Sequence, residues 1–252
     1  TQDWLELINS GRAYSNFQPG DVLKHFKKSA KQHFSKILRR YIIKGDVVLD
    51  AGCGPAYNSF YFAYEGINVT ALDISDKLIQ DLIQVKNVLD NHAMSNLELV
   101  VGSIFELNKL DKKFNVVFNN GVYEHWLSRE DRDRILQNIF AVLTEHGKYI
   151  VAVPNLKNPL FHAALSDNEV PDMWEFTLSE LENELLENGF NTIETGYMFV
   201  APGFEQWLQS PWMAYPIHLI DNLYPSLLLS IFICFIRRHQ FVLSFRNSFD
   251  LI

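Results

Sequence analysis

The chain has 252 residues, 48% of them hydrophobic and 19 of them phenylalanine, which is enough for one substantial domain with a large core. Its formal charge of −8 argues against a protein that lives on phosphate backbones, so no nucleic-acid partner is expected. Two cysteines, Cys53 and Cys234, stand far apart in apolar company; this excludes a disulfide framework and makes a reducing, cytoplasmic setting the expectation.

Residues 1–45 are aromatic and helical in tendency and read as an N-terminal cap. Basic residues from Lys24 to Arg40 spread along a helix there, as on a solvated face. No stretch opens the chain like a secretory signal. From Asp46 onward, apolar strand-like runs alternate with helix-like ones. The strands are expected at 47–51, 67–73, 97–101, 114–119 and 148–153, with helices near 57–64, 76–91 and 129–143. Alternation at this pitch marks βαβ units and a parallel sheet, so the fold class is α/β, in a single domain whose cofactor-binding core is 46–155. Ser128 before Asp131 and Thr177 before Glu180 read as helix N-caps. Beyond 155 comes a substrate-side half. It holds a helix near 178–187, a strand at 190–200, an irregular apolar insertion at about 203–238 and a last strand at 241–245.

Residues 47 to 56, Val-Val-Leu-Asp-Ala-Gly-Cys-Gly-Pro-Ala, describe a buried strand that stops at a tight glycine turn before a helix. Ligands collect beyond the carboxyl end of such a strand. A dinucleotide fingerprint needs a third glycine at Tyr57, so a nucleotide-dependent oxidoreductase is disfavoured. Asp50, two residues before Gly52, suits an ammonium group better than a phosphate. The next strand ends in Asp73, 23 residues later, where a carboxylate can accept from two vicinal hydroxyls. The competing reading is that Asp73 only caps the following helix.

The Asp50-to-Ala56 run resembles motif I of the class I S-adenosylmethionine-dependent methyltransferases, with Ala56 at the last glycine position. The resemblance implies a doubly wound, mostly parallel seven-stranded sheet whose last strand returns antiparallel. It also implies S-adenosylmethionine as cofactor, with S-adenosylhomocysteine as product. On that reading Asp50, Gly52, Cys53 and Gly54 hold the amino-acid end, Asp73 the ribose, and Ile74, Ser103 and Ile104 the adenine. Family members often carry aspartate where this chain has Ser103.

The segment Asn119-Asn120-Gly121-Val122-Tyr123-Glu124-His125 resembles the N-G-V-x-E-H run of small-molecule methyltransferases. It implies Asn119 near the methionine portion, His125 as general base and Tyr123 as a substrate contact. The alternative is that Glu124 and His125 only hold the loop, with proximity supplying catalysis. Tyr14, in the cap, is a second candidate substrate contact, against a plain packing role. The other histidines lack metal-ligand spacing, and no metal is expected.

Residues 227–236 are apolar all round and end at Arg237 and Arg238, too short to span a bilayer. Such a helix must be buried in the chain, in a homodimer through 223–236, or at a membrane surface. The membrane contact would point to a lipidic acceptor. The reading that leads is therefore methyl transfer to a hydroxyl, amine or carbon of a small organic acceptor. The alternatives are a peripheral-membrane methyltransferase acting on a lipid-linked substrate and a non-catalytic cofactor-binding scaffold.

Overall fold

The computed structural model describes residues 33–89, 93–154, 172–198 and 239–246. The expectations for Tyr14 and for the apolar insertion, 227–236 included, lie outside these residues. The elements run α1 (His33–Tyr41), β1 (Val47–Ala51), α2 (Tyr57–Tyr64), β2 (Asn68–Asp73), α3 (Asp76–Val88), β3 (Leu97–Val101), β4 (Phe114–Asn120), α4 (Arg129–Val142), β5 (Leu143–Pro154), α5 (Leu178–Glu187), β6 (Phe190–Met198) and β7 (His239–Arg246). Single 3-10 segments follow β3 (Ile104–Leu110) and β4 (Tyr123–His125).

Five parallel strands lie in the order β3-β2-β1-β4-β5, and beyond β5 the ladder continues through β7 and β6, both pairings antiparallel. The direction of winding reverses between β1 and β4, and a crevice at the carboxyl ends of the strands opens where that happens. This reversal positions the site.

Alternation along the strands builds two core layers. Val48, Val69, Ala71, Val116, Phe118 and Ile150 pack with Phe34 and Leu38 of α1, Phe60 of α2 and Ile79 and Leu82 of α3. Leu49, Ala51, Val117, Tyr149 and Val151 pack with Ile135, Leu136 and Ile139 of α4 and Leu181 and Leu185 of α5. A sheet buried on both faces cannot show a polar side, which is why its strands are near-continuous apolar runs.

Element ends follow local chemistry. Ser75 starts α3 by accepting from Leu78 N–H, and Thr177 with Glu180 makes a complete capping box on α5. The helix expected to reach Asn91 stops at Val88, because Leu89 turns to extended backbone and buries its side chain. β4 runs one residue longer than expected: Asn120 pairs with Ala152, and Gly121 N–H donates to Ala152 O at 2.9 Å. β5 starts early through a single pairing, Phe114 with Leu143, before a register irregularity. Among the described residues no helix is long and apolar enough to cross a membrane.

Candidate active site

The turn after β1 is shaped by close backbone approach. Gly52 and Cys53 N–H both donate to Leu72 O, at 2.8 and 2.9 Å, which draws the turn against the end of β2. Gly52 has φ +84, and a Cβ there would lie 2.9 Å from both Val122 methyl groups. Glycine is required on both counts. Ala56 keeps a left-handed φ of 53, the conformation that favours glycine at this position in the related motif.

Asp73 joins the two sequence motifs. Its Oδ2 accepts from Gly54 N–H and its Oδ1 from Ser75 N–H, each at 3.0 Å. The carboxylate therefore fixes the glycine turn as well as offering lone pairs to the crevice. Substitution of this residue therefore touches the fold as well as the ligand site. Burial raises its pKa, opposed by the backbone N–H donors of Ser75 and Gly54. Asp50 is also buried and accepts from Ser59 Oγ at 2.6 Å. Burial lifts its pKa to about 7; Ser59 opposes that rise, and the charge of Asp73 adds to it. Two desolvated carboxyl groups at one cavity favour a cationic ligand. The Cys53 thiol, buried among these acids, is pushed up in pKa by burial and is chemically quiet.

These groups line a cavity of about 510 Å³, within the range of roughly 300–1,000 Å³ that holds cofactor-sized ligands. Asp50, Gly52, Cys53, Gly54, Asp73, Ile74, Ser103, Ile104 and His125 all face it. Ile74 is half exposed, as a shelf for a flat ring would be. Ser103 caps the following turn by accepting from Phe105 N–H at 3.2 Å, so its hydroxyl hydrogen remains the group it can offer. Phe105 and Trp126 meet edge to face at 5.6 Å on the cavity wall.

Two expected residues fall elsewhere. Asn119 lies fully buried between β4 and β5, its amide donating to the Tyr149 hydroxyl at 2.8 Å, and Asn120 takes the cavity position instead. The cause is the extra residue of ladder to β5, which moves the strand end by one. Tyr123 is not a cavity residue either: its hydroxyl donates to Glu184 at 2.8 Å and its ring stacks on Phe176 at 5.5 Å.

His125 is 7% exposed, and burial lowers its pKa to about 4, so the imidazole facing the cavity is neutral near pH 7. Its neighbour Glu124 is buried with Oε2 unpartnered, and burial raises its pKa to about 8, so it is protonated there. Asn120, the asparagine of the N-G-V-x-E-H run, lines the cavity, whereas Trp126 on its wall and Ser59, which holds Asp50, are marked by no sequence motif. Among the described residues no cluster of His, Cys, Asp and Glu could hold a metal ion.

A methyltransferase-domain family model matches residues 42–194. The chain belongs to the class I S-adenosylmethionine-dependent methyltransferases. It is 28% identical over 118 residues to the 2-heptyl-1-hydroxyquinolin-4(1H)-one methyltransferase of Mycobacteroides abscessus, covering 47% of this chain and 50% of that protein. It is 26% identical over 178 residues to the ubiquinone biosynthesis O-methyltransferase of Coxiella burnetii, covering 69% of this chain and 66% of that one. The matches thus span half to about two thirds of those relatives' own length. Two solved structures share the fold. The magnesium protoporphyrin IX methyltransferase of Synechocystis, with bound S-adenosylhomocysteine, has a TM-score of 0.55 at 14% identity, over 91% of this chain and 83% of that one. A glycopeptide N-methyltransferase complexed with sinefungin has a TM-score of 0.60 at 14% identity, over 84% of this chain and 92% of that one.

S-adenosylmethionine is the cofactor of this family, and the residues present fit it. Asp50 and the 52–54 turn suit an ammonium-bearing end, Asp73 a ribose diol, and Ile74 with 103–104 an adenine ring. When bound, the cofactor supplies a methyl group activated by a sulfonium.

Proposed function

We propose that this methyltransferase moves a methyl group to the hydroxyl of a small, ring-containing organic acceptor. The observation that carries the reading is the neutral, buried His125 imidazole on the same cavity as Asp50, Asp73 and the glycine turn. The names of the two curated relatives, a hydroxyquinolone methyltransferase and an O-methyltransferase, support a hydroxyl as the accepting group. The aromatic wall of Phe105 and Trp126 supports a flat, apolar partner for the cavity.

A base with a pKa of about 4 does not strip a phenol in the ground state. It does not have to. An oxygen that is gaining a methyl group becomes oxonium-like, and its proton turns strongly acidic. His125 would accept that proton from the acceptor oxygen, the bound cofactor supplying the methyl group and leaving as S-adenosylhomocysteine. Asp50 and Asp73 would fix the donor in place, so that proximity and orientation supply much of the rate. Asn120, at the strand end, borders the same space.

The segment ahead of α1 acts as a cap over the cofactor with Tyr14 a contact to the acceptor, while α1 itself packs in the core through Phe34 and Leu38; 46–155 acts as the cofactor-binding core and 156–252 as the substrate-side half. The setting is cytoplasmic, without a nucleic-acid partner. The apolar run 227–236 favours a second reading, in which 223–236 meets a membrane surface or a second copy of the chain and the acceptor is lipidic.

The test is a screen of hydroxylated aromatic acceptors with the wild type and His125→Ala. The proposal expects O-methyl product and a fall in kcat of about 10²-fold or more in the variant, with unchanged cofactor affinity. Full turnover in His125→Ala, or methyl transfer to carbon alone, contradicts it.

A further inference from the structure

We infer that Arg132, Glu184 and Tyr123 are positioning residues for His125, a role that rests on the methyl-transfer reading of that imidazole. His125 ends a 3-10 turn of only three residues, Tyr123–His125, with no side-chain cap at Val122. Its N–H donates to Val122 O at 3.2 Å, and its imidazole bonds the Gly121 backbone. A 3-10 turn of three residues has few bonds of its own, so contacts from neighbouring elements bear directly on its shape. It is held from outside.

Before His125, the Tyr123 hydroxyl donates to Glu184 Oε2 at 2.8 Å, and Glu124 O accepts from Trp174 N–H at 2.8 Å. After it, Arg132 Nη1 donates to Trp126 O at 2.9 Å and to Leu127 O at 2.7 Å. Arg132 Nε and Nη2 in turn grip the Glu184 carboxylate at 2.9 to 3.2 Å. Residues on both sides of His125 are thus fastened to one buried ion pair, Arg132 on α4 and Glu184 on α5. The guanidinium lies 4.4 Å from the Trp174 ring and 5.4 Å from that of Phe176, which closes it off further.

A different reading makes the pair a clamp between α4 and α5. That clamp would need only the fork to Glu184. The two remaining bonds of Arg132, to the carbonyls of Trp126 and Leu127, add nothing to α5 and act only on the chain leaving His125. Tyr123, Arg132 and Glu184 are absent from the cavity lining, so they act through His125 and touch neither cofactor nor acceptor.

Three variants separate the readings. Tyr123→Phe removes one oxygen and leaves the ion pair intact. Arg132→Lys keeps the charge but cannot serve a carboxylate and two carbonyls at once. Arg132→Met with Glu184→Leu removes both charges and leaves neither buried alone. Turnover and cofactor affinity are measured together with the His125 titration by NMR, which needs no acceptor. Tyr123→Phe is expected to lower kcat by about threefold to tenfold, the worth of one hydrogen bond, with cofactor Kd within about twofold of wild type. Arg132→Lys is expected to lower it by more than about tenfold. In both, the His125 midpoint should climb from about 4 toward the unperturbed value near 6.5 as water reaches the loosened turn.

Wild-type kcat and an unmoved His125 titration in Tyr123→Phe and Arg132→Lys would overturn the inference. So would a folded Arg132→Met/Glu184→Leu protein with wild-type turnover. If His125→Ala keeps full turnover while the His125 titration still shifts in Tyr123→Phe, positioning stands and the base reading falls.

Discussion

Replacing Asp73 with alanine removes a side chain that latches the glycine turn and, on the proposed reading, also holds the ribose, and each role has a size. The carboxylate accepts from Gly54 N–H and Ser75 N–H, both at 3.0 Å, and still has lone pairs directed at the cavity. Hydrogen bonds to a charged group are worth about 1.5–3 kcal/mol each. Losing a ribose diol's two bonds therefore costs at least about 3 kcal/mol, roughly 150-fold in cofactor affinity. The fold loses the latch on Gly54, but it also sheds a carboxylate whose raised pKa records a desolvation cost. The net loss of stability is about 1–2 kcal/mol, a Tm lower by about 3–6 °C for a chain of this size. Calorimetric titration reads the first effect and thermal unfolding of the free protein the second. Affinity within about threefold of wild type would refute the ribose role. An unchanged Tm would refute the latch.

Other consequences follow from the same turn and its neighbours. Gly52→Ala meets both a left-handed φ of +84 and Val122 at 2.9 Å, so about 1–3 kcal/mol of stability and most cofactor binding should be lost; unaltered unfolding and binding would show that the turn can relax. On the proposed reading the cofactor's ammonium meets ionised Asp50, whose pKa is about 7, so affinity should fall about tenfold per pH unit below that value. Ser59→Ala removes the hydroxyl that favours the ionised form and should move the midpoint upward; a flat pH profile would contradict the role of Asp50. In the free protein, Asp50 at about 7 and Glu124 at about 8 titrate above their unfolded values. Both contribute stability that is lost as pH rises from about 4 to 8. His125, depressed to about 4, contributes stability that is lost as pH falls below about 6.5. Two losses outweigh the one gain, so the Tm of the free protein should fall from about pH 4.5 to pH 8, and a Tm that rises across that range would contradict these burial effects.

What sequence made legible was local. The apolar run into Gly52, the spacing from Asp50 to Asp73 and the caps at Ser128 and Thr177 each depend on residues a few positions apart. The bounds of β1, β3, α2 and α5 were readable for that reason. What failed depended on distant partners. The sequence pattern ends the strand at Asn119, because nothing in its surroundings reveals that Ala152 extends the ladder to Asn120. Tyr123 looked like a substrate contact, yet its hydroxyl partner Glu184 lies 61 residues further on. The second job of Asp73, holding Gly54, was hidden because a turn and the next strand's end meet only once the parallel pair has formed.

The central claim is that this crevice holds S-adenosylmethionine, and calorimetric titration of the full chain with S-adenosylmethionine and S-adenosylhomocysteine at pH 8 tests it most directly. The account predicts one site per chain with micromolar affinity for both. Absence of binding to either, in a protein shown by its circular dichroism and cooperative unfolding to be folded, would contradict it.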